Sequence, residues 1–371
     1  MINENLLYNI ALTQVSGISH KLVKQLLARY PSATDIFNER RDVLRTLEGL
    51  SKEKADNIKQ YNDFKTIEAQ IDFAVKHNID IRFYTDDAYA YRLLECANHP
   101  LFYFCKGDTD LNTKRVISIV GTRANSEYGQ WMTEKLVADL KSYSPVVISG
   151  MAYGIDTICH KASVKNNLLT VGVLAHGLDS IYPPENRILA KQMLESGGAL
   201  LTEYFTNSKP ERFNFPNRNR IVAGISDATI VIETNEKGGS MITAELAYSY
   251  KRGLLAVPGR VNDNKSSGCL KLIAANKAKV ITGAADIANL LKWKRNGQSG
   301  KEEAVQSSLF MELDNDETLI YNLLKNHEQL QIDALYHLCP ITKPEIANAL
   351  LTMEIKNMIK RMPGMIYKLN N

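Results

Sequence analysis

A short run of residues with the chemistry of a phosphate site follows an apolar stretch near residue 120. It consists of Gly121, Thr122 and Arg123. Glycine lets a ligand approach the backbone closely, a threonine hydroxyl can donate a hydrogen bond, and the planar guanidinium of arginine matches the oxygens of a phosphate. We therefore predict that these three residues contact an anion. The alternative interpretation is a purely structural turn.

A second turn of the same kind contains Ser149, Gly150, Met151 and Gly154 and leads into a helical pattern. Successive backbone amides at the start of a helix can cradle an anion. The turn is therefore predicted to contribute to the same site.

Asp156 and His160 stand in the first turns of the helix that follows. Asp156 is placed to cap the helix, and His160 lies four residues later on the same face. A catalytic dyad of these two residues would need a serine or cysteine nucleophile beside a second base, and the sequence shows none. Capping is the favoured interpretation for Asp156.

The segment from residue 212 to residue 220 interleaves arginines with aromatic rings: Arg-Phe-Asn-Phe-Pro-Asn-Arg-Asn-Arg. Unpaired bases stack on phenylalanine or arginine with about 1–3 kcal/mol per base, while the same arginines hold the backbone. The pattern favours a single-stranded nucleic acid, although one of the phenylalanines could belong to the core. The candidate contacts are Arg212, Phe215, Arg218, Asn219 and Arg220.

A further glycine turn contains Gly238, Gly239 and Ser240 and again lies between a predicted strand and a predicted helix. Its backbone amides could hold another phosphate. It completes the set of predicted contacts.

The elements that must position these turns extend from about residue 115 to residue 291. Short β-branched runs alternate with longer amphipathic stretches, which is typical of βα units around a parallel sheet. Open sheets of this kind bind ligands at the carboxyl ends of their strands, where the turns described above lie. The predicted strands are Val116–Val120, Val146–Ser149, Thr170–Leu174, Ala199–Thr202, Thr229–Glu233, Leu254–Val257 and Lys279–Thr282.

The βα repeat belongs to a central domain that is predicted to span residues 63–294. A smaller domain is predicted on each side of it, at residues 1–62 and 313–371. Residues 1–62 carry two glycine turns, at Gly17 and Gly49, each before a helical pattern, which suggests a helix-hairpin-helix; either turn could bind a DNA phosphate or serve packing alone. Residues 295–312 are polar and predict a flexible linker.

Residues 313–371 show three helical patterns and a terminal hairpin, which predict a small winged helix. Its third helix carries few cations, so a contact with another protein is favoured there over the reading of a DNA groove.

The bulk composition narrows the class of protein. The chain has 371 residues, a formal net charge of +4 and 44% hydrophobic residues, so it should fold and any polyanion site must be local. Five cysteines without a CxxC pair predict neither a disulfide framework nor a zinc site. The absence of a membrane-length apolar run and of a basic N-terminus predicts a cytoplasmic location, with no membrane partner.

Six segments of the sequence, in this order and spacing, together resemble the DNA-processing protein A family (DprA, also called Smf). The resemblance implies an α/β fold: an extended Rossmann-like parallel sheet with helices on both faces, a small N-terminal helix-hairpin-helix or SAM-like domain, and a C-terminal winged helix. The segments are VGTRANSEYG at 120–129, SGMAYGIDTICHKA at 149–162, GLDSIYPPEN at 177–186, FPNRNRIVAG at 215–224, GGSMITAELA at 238–247 and VPGR at 257–260.

The same resemblance implies a binding protein without enzymatic activity or cofactor. Its expected partners are single-stranded DNA, the RecA recombinase that it loads during natural transformation, and a second copy of the chain. The implied DNA-binding residues are those of the three glycine turns and of the arginine-rich segment. The chain departs from many relatives at Ala175-His176, where Gly-Thr is usual, and at Lys237, where serine is commoner. Neither departure removes an anion-binding amide.

Two other classes of function remain open. A nucleotide phosphoribohydrolase on a related scaffold is suggested by the stretch from Gly238 to Glu245, which is similar to a Gly-Gly-x-Gly-Thr-x-x-Glu loop but has Met241 at its third glycine. An interaction scaffold would instead use the arginine cluster for an acidic protein. Salt-dependent DNA binding, lowered by Arg123→Ala or Arg220→Ala, would distinguish these classes. The sequence contains neither GxGxxG after a strand nor GxxxxGK[ST], which disfavours a dehydrogenase and an NTPase.

Overall fold

The computed structural model describes residues 4–295, 314–327, 329–355, 358–362 and 364–370. The chain divides into two compact units, Met1–Ser299 and Gly300–Asn371. All of the predicted linker except residue 295 lies outside the described residues. The predicted boundary at residue 62 falls within the first unit and stays a prediction.

The first unit begins with helices whose starts are set by serine caps. Ser19, Ser32 and Ser51 each accept a hydrogen bond from a backbone amide of the first helical turn. Gly17 and Gly49 have φ angles of +77° and +81°, a backbone conformation that suits glycine at the two predicted turns. The helices are α1 (Glu4–Gln14), α2 (His20–Arg29), α3 (Ala33–Asn38), α4 (Arg41–Leu44), α5 (Lys52–Gln60) and α6 (Phe64–Lys76).

The strands of the first unit form one sheet. They are β1 (Ile79–Phe83), β2 (Phe102–Lys106), β3 (Val116–Gly121), β4 (Val146–Ser149), β5 (Thr170–Val173), β6 (Ala199–Thr202), β7 (Ala228–Ile232), β8 (Gly253–Ala256) and β9 (Lys279–Val280). Within the described residues their order is β1-β2-β6-β5-β4-β3-β7-β8-β9. The strands from β3 to β9 pair in parallel. The predicted parallel sheet is confirmed, and each predicted strand overlaps an observed one.

The sheet is extended by two strands that the sequence pattern did not reveal. β1 pairs antiparallel with β2, and β2 pairs antiparallel with β6, with Cys105 opposite Leu201. These strands precede the βα repeat, so the alternating pattern gave no signal for them. Their place in the sheet depends on a pairing between segments far apart in the chain.

Helices cover both faces of the sheet, as predicted. Neighbouring residues of a strand point to opposite faces, so Val116 and Val120 of β3 pack in one cluster and Ile117 and Ile119 in another. The helices that follow β1 in the first unit are α7 (Tyr91–Leu94), α8 (Glu127–Leu140), α9 (Ile155–Lys165), α10 (Arg187–Glu195), α11 (Asn214–Gly224), α12 (Gly239–Ser249), α13 (Ser267–Ala274) and α14 (Ala284–Leu290), with a 3₁₀ turn at Pro184–Asn186. The first cluster includes residues of α11, α12 and α13, and the second includes residues of α8, α9 and α14.

The N-terminal helices share a core with the start of the sheet. Buried residues of α1 and α4, such as Ile10 and Leu44, belong to one apolar cluster with Phe83 of β1 and Phe102 and Phe104 of β2. The helical region and the sheet therefore pack as one unit.

The second unit has a core of its own, which includes Ile320, Leu335 and Leu350. Its described elements follow the predicted order of three helices and a terminal hairpin, with one further short strand. They are α15 (Asn315–His327), β10 (Gln329–Gln331), α16 (Ile332–Leu338), α17 (Lys343–Ile355), β11 (Ile359–Met362) and β12 (Ile366–Leu369), and the strands pair antiparallel in the order β10-β12-β11. The winged-helix assignment stays a prediction.

Across the described ranges of the chain, we find no helix that combines the length and the apolar character needed to cross a bilayer.

Candidate nucleic-acid interface

An open cleft of about 1040 Å³ lies at the carboxyl ends of the parallel strands. Its walls are the turns after β3 and β4, the first half of α11 and the N-terminus of α12. This is the edge at which open α/β sheets bind ligands. The cleft thus brings together parts of three glycine turns and of the arginine-rich segment, which are distant in the sequence.

The turn after β3 is held close to the neighbouring strand end. A Cβ atom on Gly121 would lie 2.0 Å from the carbonyl oxygen of Ile232, so only glycine fits there. The amide of Thr122 donates to the carbonyl of Glu233 at 2.7 Å, and the Thr122 carbonyl accepts from the amide of Ile155 at 3.2 Å. The backbone of this turn is therefore rigid before any ligand arrives.

Arg123 projects from this turn into the cleft. Its side chain is exposed, and its guanidinium carbon lies 5.0 Å from the centroid of the Phe215 ring. A cation over an aromatic face is attracted by the ring quadrupole. The contact therefore holds the exposed Arg123 side chain beside Phe215 in the lining of the cleft.

Arg218 lies in the same cleft but is only 3% exposed. Its Nη1 donates to the carbonyls of Gly150 and Val173, at the ends of β4 and β5. A Cβ atom on Gly150 would stand 2.6 Å from this nitrogen, so the glycine leaves room for the arginine. Burial lowers the pKa of Arg218 to about 10, against the opposing effect of Asp156. Arg218 therefore holds two strand ends together.

Asp156 is buried beneath the turn after β4. Its carboxylate accepts from the amide of Ala152 at 3.2 Å, so it closes this turn at the start of α9, a role close to the predicted cap. Burial raises the pKa of Asp156, and the charge of Arg218 opposes that rise. Gly154, with a φ angle of +74°, completes the turn.

His160 is fully buried, and its Nδ1 is bonded to the hydroxyl of Thr170 at 2.7 Å. Burial lowers the pKa of His160 to about 3, so the ring is neutral. The bond to Thr170 and the complete burial of His160 give no support to a catalytic dyad with Asp156.

The N-terminus of α12 opens directly into the cleft. Gly238 stands at its N-cap without a side-chain cap, and the first turn, all of which the structure describes, carries no acidic residue. A Cβ atom on Gly239 would meet nothing within 4 Å, while the hydroxyl of Ser240 is bonded to Thr234 at 2.7 Å. The partial positive charge of this helix end is therefore available to an anion.

Four of the predicted site residues do not line the cleft. Ser149 is buried and donates to the carbonyl of Ile119, and Met151 is buried with a φ angle of +61°. Gly154 shapes the turn. Arg220 is paired with Glu203, and both side chains are mostly buried. These residues lie outside the lining of the cleft, and their predicted contact with DNA stays a prediction.

The cleft also contains residues that the sequence did not single out. Phe213 is 64% exposed, and Asn235, Thr234 and Ile242 join the lining. Phe213 belongs to the segment that was predicted to bind, and it lies directly before α11, which begins at Asn214. Within the described ranges, we find no cluster of His, Cys, Asp and Glu side chains suited to a metal ion.

Two known protein families match the first unit, one in its N-terminal helices and one in its sheet region. The family model described as DNA recombination-mediator protein A matches residues 80–292, more than half of the chain, and the model described as a SAM-like helix-hairpin-helix tandem matches residues 10–60. Protein Smf from Synechocystis sp. is 34% identical over 289 residues, which cover 76% of this chain and 71% of the relative.

Solved structures of the same kind are also similar. The X-ray structure of DNA processing protein A from Streptococcus pneumoniae matches with a TM-score of 0.65 and 30% identity, over 78% of this chain and 98% of the other. DNA processing protein A from Helicobacter pylori, described as having a unique single-stranded DNA binding mode, matches with a TM-score of 0.52 and 29% identity, over 58% of this chain and 98% of the other. This chain therefore belongs to the DNA recombination-mediator protein A family, the DprA or Smf family.

Proposed function

We propose that this protein binds single-stranded DNA in the cleft at the carboxyl edge of its sheet. The observation that carries the proposal is that one cleft is lined both by Arg123, which lies over the Phe215 ring, and by the N-terminus of α12, which has no side-chain cap. A solved relative described as a single-stranded DNA binder supports the same function.

The chemistry of the cleft suits an unpaired strand better than a duplex. Phe215 is half-buried and Phe213 is 64% exposed, so both rings can offer apolar surface to bases. Such faces stack on bases only when the bases are not enclosed in a double helix. The exposed guanidiniums of Arg123 and Arg212, together with the amides at Gly239, would hold the phosphates.

We favour DNA binding without catalysis. Glu245, the residue that a phosphoribohydrolase would need, is bonded to Lys277 at 2.7 and 2.8 Å and does not line the cleft. His160 is fully buried and bonded to Thr170, at the start of β5. Glu245 and His160 are thus engaged in bonds away from the cleft lining.

Membership of the family supports a wider role. We propose that the protein acts in the cytoplasm as a homodimer, protects incoming single strands and loads the RecA recombinase on them during natural transformation and recombination. The cleft would then present the bound strand to the recombinase.

Fluorescence anisotropy with oligo-dT tests the binding site. The wild type is expected to bind with sub-micromolar affinity that falls steeply with salt, and Arg123→Ala should weaken binding about tenfold and reduce the salt slope by about 0.7, the value for one phosphate contact on a single strand. Arg40→Ala is the matched control, because Arg40 is exposed and paired with Asp42 in the helical region. Wild-type affinity in both Arg123→Ala and Phe215→Ala would refute the site, and release of ribose phosphate from AMP would favour the enzyme.

A further inference from the structure

A strip of aromatic side chains leads out of the cleft on the side of Phe215. The ring of Tyr182 lies 6.0 Å from that of Phe215, centroid to centroid, and Tyr182 is 41% exposed. Tyr153 is 43% exposed, and its hydroxyl is bonded to Glu185, three residues after Tyr182 in the chain. We call Phe215, Tyr182 and Tyr153 the aromatic strip.

The two tyrosines are held in place by bonds on one side and open on the other. The backbone amide of Tyr182 donates to Nε2 of His176, which is buried. The hydroxyl of Tyr153 donates to the carboxylate of Glu185 at 2.7 Å. The backbone of Tyr182 and the hydroxyl of Tyr153 are thus fixed by contacts within the protein, which lowers the ordering entropy that a stacked ligand has to overcome.

The charges along the strip differ between its two ends. Arg123 stands over Phe215 at the end within the cleft, whereas the carboxylate of Glu185 lies at Tyr153. A carboxylate repels phosphate, but it does not prevent a neutral base from stacking on a neighbouring ring. The outer part of the strip therefore suits bases, and the inner end suits the backbone.

We propose that Tyr182, supported by Tyr153, forms a base-stacking subsite for the unpaired nucleotides that leave the cleft beyond Phe215. The inference rests on the proposed function, because it extends the path of the same strand. Its basis is the continuity of the rings with the cleft and the change of charge along them. Base–aromatic stacking is tolerant of sequence, so the subsite would add affinity without selecting a particular base.

The test compares full-length Tyr182→Ala and Tyr182→Phe with the wild type by fluorescence anisotropy. The probes are oligo-dT and an abasic deoxyribose-phosphate chain of the same length. Tyr182→Ala should weaken oligo-dT binding about tenfold, within the range for one stacked base, while Tyr182→Phe should keep wild-type affinity. All proteins should bind the abasic chain equally. Tyr248→Ala is the matched control, because Tyr248 is a 50% exposed tyrosine of α12 outside the cleft lining and should leave both affinities unchanged.

Two results would overturn the subsite while leaving the proposed function in place: equal oligo-dT affinity of the wild type and Tyr182→Ala, or an equal loss for oligo-dT and the abasic chain. The second result would mean that Tyr182 acts through the backbone path or the fold. A wild type that binds neither probe would overturn the proposed function and the subsite together.

Discussion

Arg123 and Arg218 line one cleft, yet their surroundings give them different roles. Arg123 is exposed over the ring of Phe215, whereas Arg218 is buried and bonded to the carbonyls of Gly150 and Val173. A guanidinium has a limited number of N–H donors, and those that bond to the protein are not available to a phosphate. We therefore expect Arg123 to contact the ligand and Arg218 to position the turn.

Replacement of Arg218 by methionine tests this distinction. We expect the free energy of unfolding to fall by about 3–5 kcal/mol, because the two strand-end carbonyls would be left buried without their donor and the buried Asp156 would lose the nearby positive charge. Urea unfolding measures the change. Arg212→Met is the control: Arg212 is exposed in the same cleft, so this variant should keep its stability and lose DNA affinity. An unchanged urea midpoint for Arg218→Met would contradict the positioning role.

At the scale of elements, α9 and α12 both begin after a parallel strand, but their N-termini differ in how they are capped. The turn before α9 is closed by Asp156, which accepts from the amide of Ala152. The start of α12 has only glycine at its cap and no acidic residue in its fully described first turn. Because a carboxylate neutralises the positive end of a helix, we expect α12, and not α9, to offer that end to a ligand.

The substitution Gly239→Glu tests the role of α12 without disturbing its packing, since a Cβ atom there meets nothing within 4 Å. The new carboxylate should leave the free energy of unfolding unchanged or raise it by up to about 1 kcal/mol. It should also weaken oligo-dT binding about tenfold at low salt, because it occupies the end of the helix that would face a phosphate. Thermal unfolding and anisotropy measure the two effects.

Gly283→Glu provides the control for that substitution. A Cβ atom on Gly283 likewise meets nothing within 4 Å, and the residue precedes α14 outside the cleft lining. Equal DNA affinity of Gly239→Glu and Gly283→Glu would show that α12 takes no part in binding.

At the scale of the whole molecule, the two compact units differ in how their cores are built. The core of the N-terminal helices continues into β1 and β2 through Phe83, Phe102 and Phe104. The second unit encloses its own core. A cut within the shared core should therefore cost more stability than a cut between the units.

Two truncations test this difference. A chain that ends at residue 295 should keep the melting temperature of the first unit and its affinity for oligo-dT. A chain that lacks residues 1–62 should melt at a clearly lower temperature, because apolar residues of β1 and β2 would lose the helices that cover them. Circular dichroism and anisotropy provide the measurements. Equal melting temperatures for the two truncated chains would contradict the shared core.

Much of the architecture could be predicted from the sequence. The strands Val146–Ser149 and Ala199–Thr202 were predicted with the bounds that the structure has, and the other predicted strands overlap observed ones. Buried parallel strands give nearly continuous apolar runs, and the glycine turns that follow them are equally local signals. The order of the motifs then indicated the family. All of this information lies within short stretches of chain.

The tertiary structure decided which of the predicted residues meet in the cleft and which side chains are free to bind. Arg218 and Arg220 are two positions apart in α11, but at about 100° per residue they point to different sides of the helix. One meets the carbonyls of Gly150 and Val173, and the other meets Glu203. The partners of these two arginines come from other parts of the chain. In the same way, β2 pairs with β6, which lies about a hundred residues later. Local sequence patterns encode backbone conformation and burial, but they contain no information about such distant partners.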